Sequence, residues 1–307
     1  MENKILDVLN NSQSVLSKLS MKTYAGCINK IMQMLDSSDL NILNTKPDLV
    51  IKAINDTWQN LNTRKIKYIS VVVLLKLLYD EPNIEKYNKQ IEEIISSVKN
   101  ELSKNLKTDK QKKGWIDKDE TADLKTTLYK AIPNPLKIKT SRDLKAFRDY
   151  ILFVLYDDLP TRAELANAKI IYKSKKKLSD EYNYIVLDKA NETIQYINNR
   201  YKTAGTYGQK ILDINKELYD DFQLYKEAVN EFNNNGWFLL NNTATDKITP
   251  NRLGVVYKDI GKAIGKPLSI TTNRHIKISE LVPIQKMKEL SDRMGHSINT
   301  ELQYAKE

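Results

Sequence analysis

The sequence predicts a mainly α-helical protein with one small antiparallel β-sheet, divided into an all-α N-terminal domain and an α+β C-terminal domain. Three observations predict it. Apolar residues recur at helical spacing from about Asn3 to Lys107. Past Arg162 the chain turns to short runs rich in Ile, Tyr and Val, bounded by turn residues, which is the pattern of strands. Between the two regions lies KNLKTDKQKKGWIDKDE, dense in lysine around a central glycine. The expected boundaries are 1–107 for the helical domain, 108–118 for a basic linker and 119–307 for the second domain. A chain of 307 residues is long enough for two cores.

In the first domain, SMKTYAGCINKIMQML sets Ala25, Ile28, Met32 and Leu35 at helical spacing, with Ser20 placed to cap the helix. PDLVIKAINDTW predicts a second helix. TRKIKYISVVVLLKLLYD, opened by Thr63, predicts a third, and PNIEKYNKQIEEIISSVKNEL, with Pro82 near its start, a fourth. In the second domain DLKTTLYKAI and SRDLKAFRDYILFVLYDD are helical. AKIIYK, YNYIVLD, TIQYINNRYK and QKILDIN are strands. KELYDDFQLYKEAVNEF returns to helix, a polar NNN turn and GWFLL follow, and Pro250 opens NRLGVVYKDIGKAIG. From Arg274 onward the pattern is helical, with breaks at Pro283 and Gly295.

Composition narrows the function. A formal net charge of +10 points to a polyanionic partner, most often nucleic acid. Nine glycines are too few for a Gly-rich nucleotide cradle. The longest charge-free apolar stretch, YISVVVLL between Lys67 and Lys76, is too short to span a bilayer, and the N-terminus MENKILDVLNNSQ lacks a signal-peptide pattern. The single cysteine, Cys27, allows no intramolecular disulfide and fits a reducing compartment. Beside Ile28 and Ile31 it reads as a small buried hydrophobe.

Four separated stretches carry residues with chemistry. YDDLPTRAELANAK places Arg162 just after Pro160 at a helix start. INNRYKTAGTYGQKILDI places Lys202 in the turn between two strands, shaped by Thr203, Gly205 and Gly208. SITTNRHIKIS holds Arg274 and His275. RMGHSINTELQYAKE holds His296 and, eight residues on, Tyr304. Taken singly each is ordinary: an arginine at a helix start, a turn lysine, one tyrosine of 17. Their order and their neighbours together carry the signal.

That order resembles the tyrosine recombinase, or phage integrase, family. RYKTAGTYG resembles its lysine hairpin, NRHIKIS its arginine box and MGHSINTELQY its terminal Gly-His and tyrosine segment. The wording is more similar to the recombinases of large DNA viruses and virophages than to cellular ones. The resemblance covers both domains, the N-terminal helices matching the family's core-binding domain in type and length. It implies that Tyr304 is the nucleophile, that Arg162, Lys202, Arg274 and His296 complete the catalytic set, and that no metal or cofactor is needed. It implies double-stranded DNA as partner and a 3′-phosphotyrosyl intermediate.

The sequence departs from the family pattern in three places. Thr271 stands three residues before Arg274, where the family has histidine, and Asn273 precedes Arg274, where an apolar residue is commoner. The step from His296 to Tyr304 is one residue shorter than in many cellular relatives. A threonine hydroxyl binds phosphate but does not usefully accept a proton at neutral pH, so Thr271 and His275 are auxiliary candidates. Lys104, Lys107, Lys110, Lys112 and Lys113 read either as a solvated connector or as a basic strap across a phosphate backbone. Two other readings share the resemblance: a type IB topoisomerase, and a DNA-binding relative that has lost catalysis. The helical N-terminal domain and MGHS favour the recombinase, and Thr271 favours the inactive relative. Only Ala305, Lys306 and Glu307 follow Tyr304, too few for an exchanged C-terminal helix. The expectation is a monomer when free and a homotetramer on paired DNA sites, with no membrane association. The expected location is an intracellular, reducing compartment: host cytoplasm or nucleus if the protein is viral.

Overall fold

Helical spacing yields helices throughout the first part of the chain: α1 (Glu2–Asn11), α2 (Lys18–Met34), α3 (Ile42–Thr45), α4 (Pro47–Thr57), α5 (Leu61–Leu78) and α6 (Glu85–Ser103). The computed structural model describes residues 2–11, 16–103, 106–134, 137–280 and 293–294. It falls into two units, Met1–Lys104 and Asn105–Glu307, each with its own core. In the first unit, Ile28, Ile31, Val71, Leu74, Leu75 and Tyr87 have no exposed surface, and Cys27 is buried among them. Two helix starts differ from expectation. Ser17, not Ser20, caps α2: its hydroxyl accepts from the Ser20 N–H at 3.1 Å. α5, expected to open at Thr63, starts at Leu61 with Asn60 as its cap, accepting from the Thr63 N–H at 3.0 Å. In both cases the residue singled out in the sequence lies in the first turn, and its orphan N–H is the group being satisfied.

The second unit begins with the stretch expected to be a linker. Thr108 and Gln111 form a capping box that starts the short helix α7 (Asp109–Lys113). Gly114 then passes so close to Pro267 that a Cβ there would meet its carbonyl oxygen at 2.6 Å. Lys266 Nζ donates to the Trp115 carbonyl at 2.8 Å, and Ile116 joins the second unit's core. Residues 108–116 are therefore packed against this unit, with the side chains of Lys110, Lys112 and Lys113 left exposed.

α8 (Lys118–Lys130) and α9 (Ser141–Asp158) follow. From Phe147 to Tyr156 every residue of α9 is buried, so this helix is the axis of the core. Within it Arg148, 2% exposed, donates to the Leu240 carbonyl at 2.9 Å, to Asn242 Oδ1 at 3.1 Å and to Asp149 Oδ1. Arg148→Met keeps the apolar stem but strands these acceptors. It is expected to cost about 3–5 kcal/mol, read from the urea midpoint of the second unit. A loss below about 1 kcal/mol, the worth of an exposed pair, would show that the network is dispensable.

The sheet contains β1 (Ala168–Tyr172), β2 (Asn183–Asp188), β3 (Thr193–Asn198) and β4 (Lys210–Ile214), in that spatial order. The four strands are those expected, but the sheet is mixed rather than wholly antiparallel. β1 runs parallel to β2, with Ala168 opposite Asn183, while β2–β3 and β3–β4 are antiparallel. The reason lies in the connection. A tight hairpin turn reverses direction, whereas residues 173–182 are long enough to carry the chain back to the starting end. The outer edge of β1 is closed by the GWF segment: Ile170 N donates to the Gly236 carbonyl and Phe238 N to that of Ala168, both at 2.9 Å. α10 (Ala204–Tyr207) lies between β3 and β4, and α11 (Tyr219–Phe232), α12 (Pro250–Ile260) and α13 (Ile270–Ser279) complete the described unit. Among the described residues no helix is long and apolar enough to cross a membrane.

Candidate active site

The C-terminal end of α9 is the anchor on which the site is built. Its last-turn carbonyls have no partner within the helix. Asn273, on α13, donates its side-chain amide to the Tyr156 carbonyl at 2.8 Å and is itself 5% exposed. This accounts for a polar residue where an apolar one was expected. Beside it Arg274, 4% exposed, donates Nε to the Pro160 carbonyl at 3.1 Å. α13 is thereby fastened to the Pro160–Arg162 segment. Arg162 itself sits in extended backbone just ahead of the 3₁₀ turn Ala163–Asn167, and its carbonyl accepts from the Tyr156 hydroxyl at 2.7 Å.

Sheet register supplies the opposite wall. Asn198, the last residue of β3, pairs with Lys210, the first of β4. Together Arg162, Glu164, Asn198, Lys210, Arg274 and Arg293 line one cleft, completed by Thr161, Tyr201 and Met294. Among the described residues, four cationic side chains face it, with a single carboxylate between them. Burial holds the Glu164 carboxyl above its ordinary range, a rise that its own backbone N–H and then the guanidiniums of Arg162 and Arg274 only partly offset. One Glu164 oxygen, Oε2, is buried with no hydrogen-bond partner among the described residues. The Tyr156 phenol is held far above its ordinary pKa, first by burial and then by the Glu164 charge. Tyr201, the phenol that lines the cleft among the described residues, donates its hydroxyl to the Gly208 carbonyl at 2.8 Å.

Of the residues singled out in the sequence, Arg162 and Arg274 are brought together. Lys202 stands exposed in the turn before α10, outside the cleft lining. Thr271 is exposed on the first turn of α13, and His275 is half-buried with its carbonyl accepting from Ser279 Oγ at 2.8 Å; neither lines the cleft. His296, Tyr304 and Lys104 lie outside the described residues. Arg293 and Met294, which directly precede Gly295 and His296 in the chain, do line it. Sequence reasoning missed Lys210, Asn198, Tyr201 and Arg293. The signal for Lys210 was its place at the head of the strand QKILDIN, opposite the end of the strand before it.

These features define a mainly helical protein with a small mixed sheet and a narrow cationic cleft. No family model and no curated protein matches the sequence. Solved structures similar to it include the crystal structure of XerA recombinase, at 13% identity and a TM-score of 0.45, covering 99% of this chain and 92% of that one. Another is XerH site-specific recombinase bound to difH substrate in a pre-cleavage complex. It is 13% identical with a TM-score of 0.47, covering 99% of this chain and 90% of that one.

Proposed function

We propose that the chain is a tyrosine recombinase, a site-specific enzyme that breaks and rejoins DNA through a 3′-phosphotyrosyl intermediate, of the type carried by large DNA viruses and virophages. The observation that carries this reading is the meeting of Arg162 and Arg274, distant in sequence, on one cationic cleft. Two forked guanidiniums suit the two non-bridging oxygens of a phosphodiester, where charge builds in the pentavalent transition state. In this reading the Tyr304 oxygen bonds to phosphorus and the bond from phosphorus to the 5′-oxygen breaks. Lys202 gives that oxygen its proton, and the phenol's own proton passes to a base or to water. His296 hydrogen-bonds the same phosphate. The phosphotyrosyl link keeps the energy of the broken bond, so the freed 5′-hydroxyl of a second strand can reverse the step without a nucleotide cofactor. The protein is a monomer when free and a homotetramer on paired sites.

A nicked suicide duplex, whose short leaving strand diffuses away, tests the chemistry. A detergent-resistant protein–DNA adduct is expected. No adduct across a library of duplex sequences would leave only DNA binding. Relaxation of any supercoiled plasmid, whatever its sequence, would move the same chemistry to a type IB topoisomerase.

The exposed lysines of α7 supply a second expectation. Replacing Lys110, Lys112 and Lys113 with Gln should lower the slope of log affinity against log salt by about 0.9 for each phosphate that is no longer neutralised. An unchanged slope would assign these lysines to solvent alone.

A further inference from the structure

Asn183 is a buried polar residue that the cleavage scheme does not use. It opens β2, has no exposed surface, and uses all four of its side-chain hydrogen-bonding positions. Nδ2 donates to the Glu164 carbonyl at 3.2 Å and to the Arg200 carbonyl at 3.1 Å. Oδ1 accepts from the backbone N–H groups of Asn199 at 2.9 Å and Arg200 at 2.7 Å. All four of these partners are backbone groups, and they belong to two segments. Glu164 is two residues beyond Arg162; Arg200 is two residues before Lys202.

The rest of the turn is tied down at its other end. Gln209 Nε2 donates to Asn199 Oδ1 at 2.6 Å, and the Tyr201 hydroxyl donates to the Gly208 carbonyl. Gly208 has φ +69°, in the region that favours glycine, so the chain can double back there. Residues 202–207 therefore form a short arc on a fixed base, and Asn183 joins that base to the arginine segment.

We infer that Asn183 is a positioning residue, which holds the turn bearing Lys202 in register with Arg162 so that the lysine reaches the leaving 5′-oxygen. This rests on the recombinase reading above. A side chain acting through Lys202 affects protonation of the leaving group. One that merely stabilises the fold affects every step alike.

The test compares two suicide substrates, one with the ordinary 5′-oxygen and one with a 5′-bridging sulfur, whose thiolate leaves without a proton. Asn183→Ala should slow adduct formation on the oxygen substrate by about 10²-fold, the cost of a misplaced catalytic group. On the sulfur substrate it should run near the parent rate. Asn183→Asp keeps the acceptor for the Asn199 and Arg200 N–H groups but loses both donors, to the Glu164 and Arg200 carbonyls; it covers the case in which the alanine variant does not fold. It should show the same rescue with a smaller initial defect. Equal losses on both substrates, or full activity on the oxygen substrate, would overturn the inference while leaving the recombinase reading intact. A parent protein that forms no adduct on either substrate would overturn that reading, and the role of Asn183 with it.

Discussion

Tyr304→Phe should give no covalent adduct on a suicide duplex while binding the same duplex with nearly the parent affinity. The substitution keeps the ring and removes only the oxygen that would attack phosphorus. A free phenol has a pKa near 10, so in the proposed reaction its surroundings, not the side chain alone, would have to favour its ionised form during attack. Two phenols among the described residues near Arg162 are poor substitutes. The Tyr156 hydroxyl is buried, held far above its ordinary pKa by that burial, and committed to the Arg162 carbonyl. The Tyr201 hydroxyl is committed to the Gly208 carbonyl. An adduct formed by the Phe variant, mapped by peptide sequencing of the DNA-linked fragment, would move the nucleophile elsewhere in the chain.

Arg274→Ala should slow cleavage by on the order of 10²-fold or more, the usual cost of removing a donor from a charge-stabilising site. Arg274→Lys should recover little. An ammonium keeps the charge but cannot offer two parallel N–H bonds to one phosphate. The residue also has a structural bond, since Nε reaches the Pro160 carbonyl. The comparison therefore needs variants whose far-ultraviolet circular dichroism matches the parent. Arg162→Ala should act in the same direction. Cleavage by a folded Arg274→Ala protein at close to the parent rate would remove this arginine from the phosphate clamp.

Much of this was legible in the sequence because it is local. Helix spacing located α2, α4, α5, α6 and α9, and runs such as YNYIVLD marked strands. Arg162 and Arg274 were marked by their neighbours. What was not legible depends on contacts between distant residues. The parallel pairing of β1 with β2 follows from where residues 173–182 return the chain, not from either strand's composition. Lys210 and Asn198 look like ordinary strand ends until the register sets them opposite each other at the cleft. Asn183 looks like a polar strand start until the backbones of Glu164 and Arg200 meet around it. The cap of α2 was misplaced by a turn because Ser17 and Ser20 are chemically equivalent, and only hydrogen bonding distinguishes them.

Among the described residues the two cores share no side chain: one is centred on residues such as Val71 and Leu74, the other on α9. Cooperative melting requires that losing one part of a core removes support from the rest. Heat should therefore be absorbed in two separable events, and a single melting temperature would be an average with no molecular referent. A cavity at Leu74 should then lower the transition of the first core and leave the second, which carries Arg162 and Arg274, in place; a matching fall in both, read by scanning calorimetry, would show that the two units melt as one.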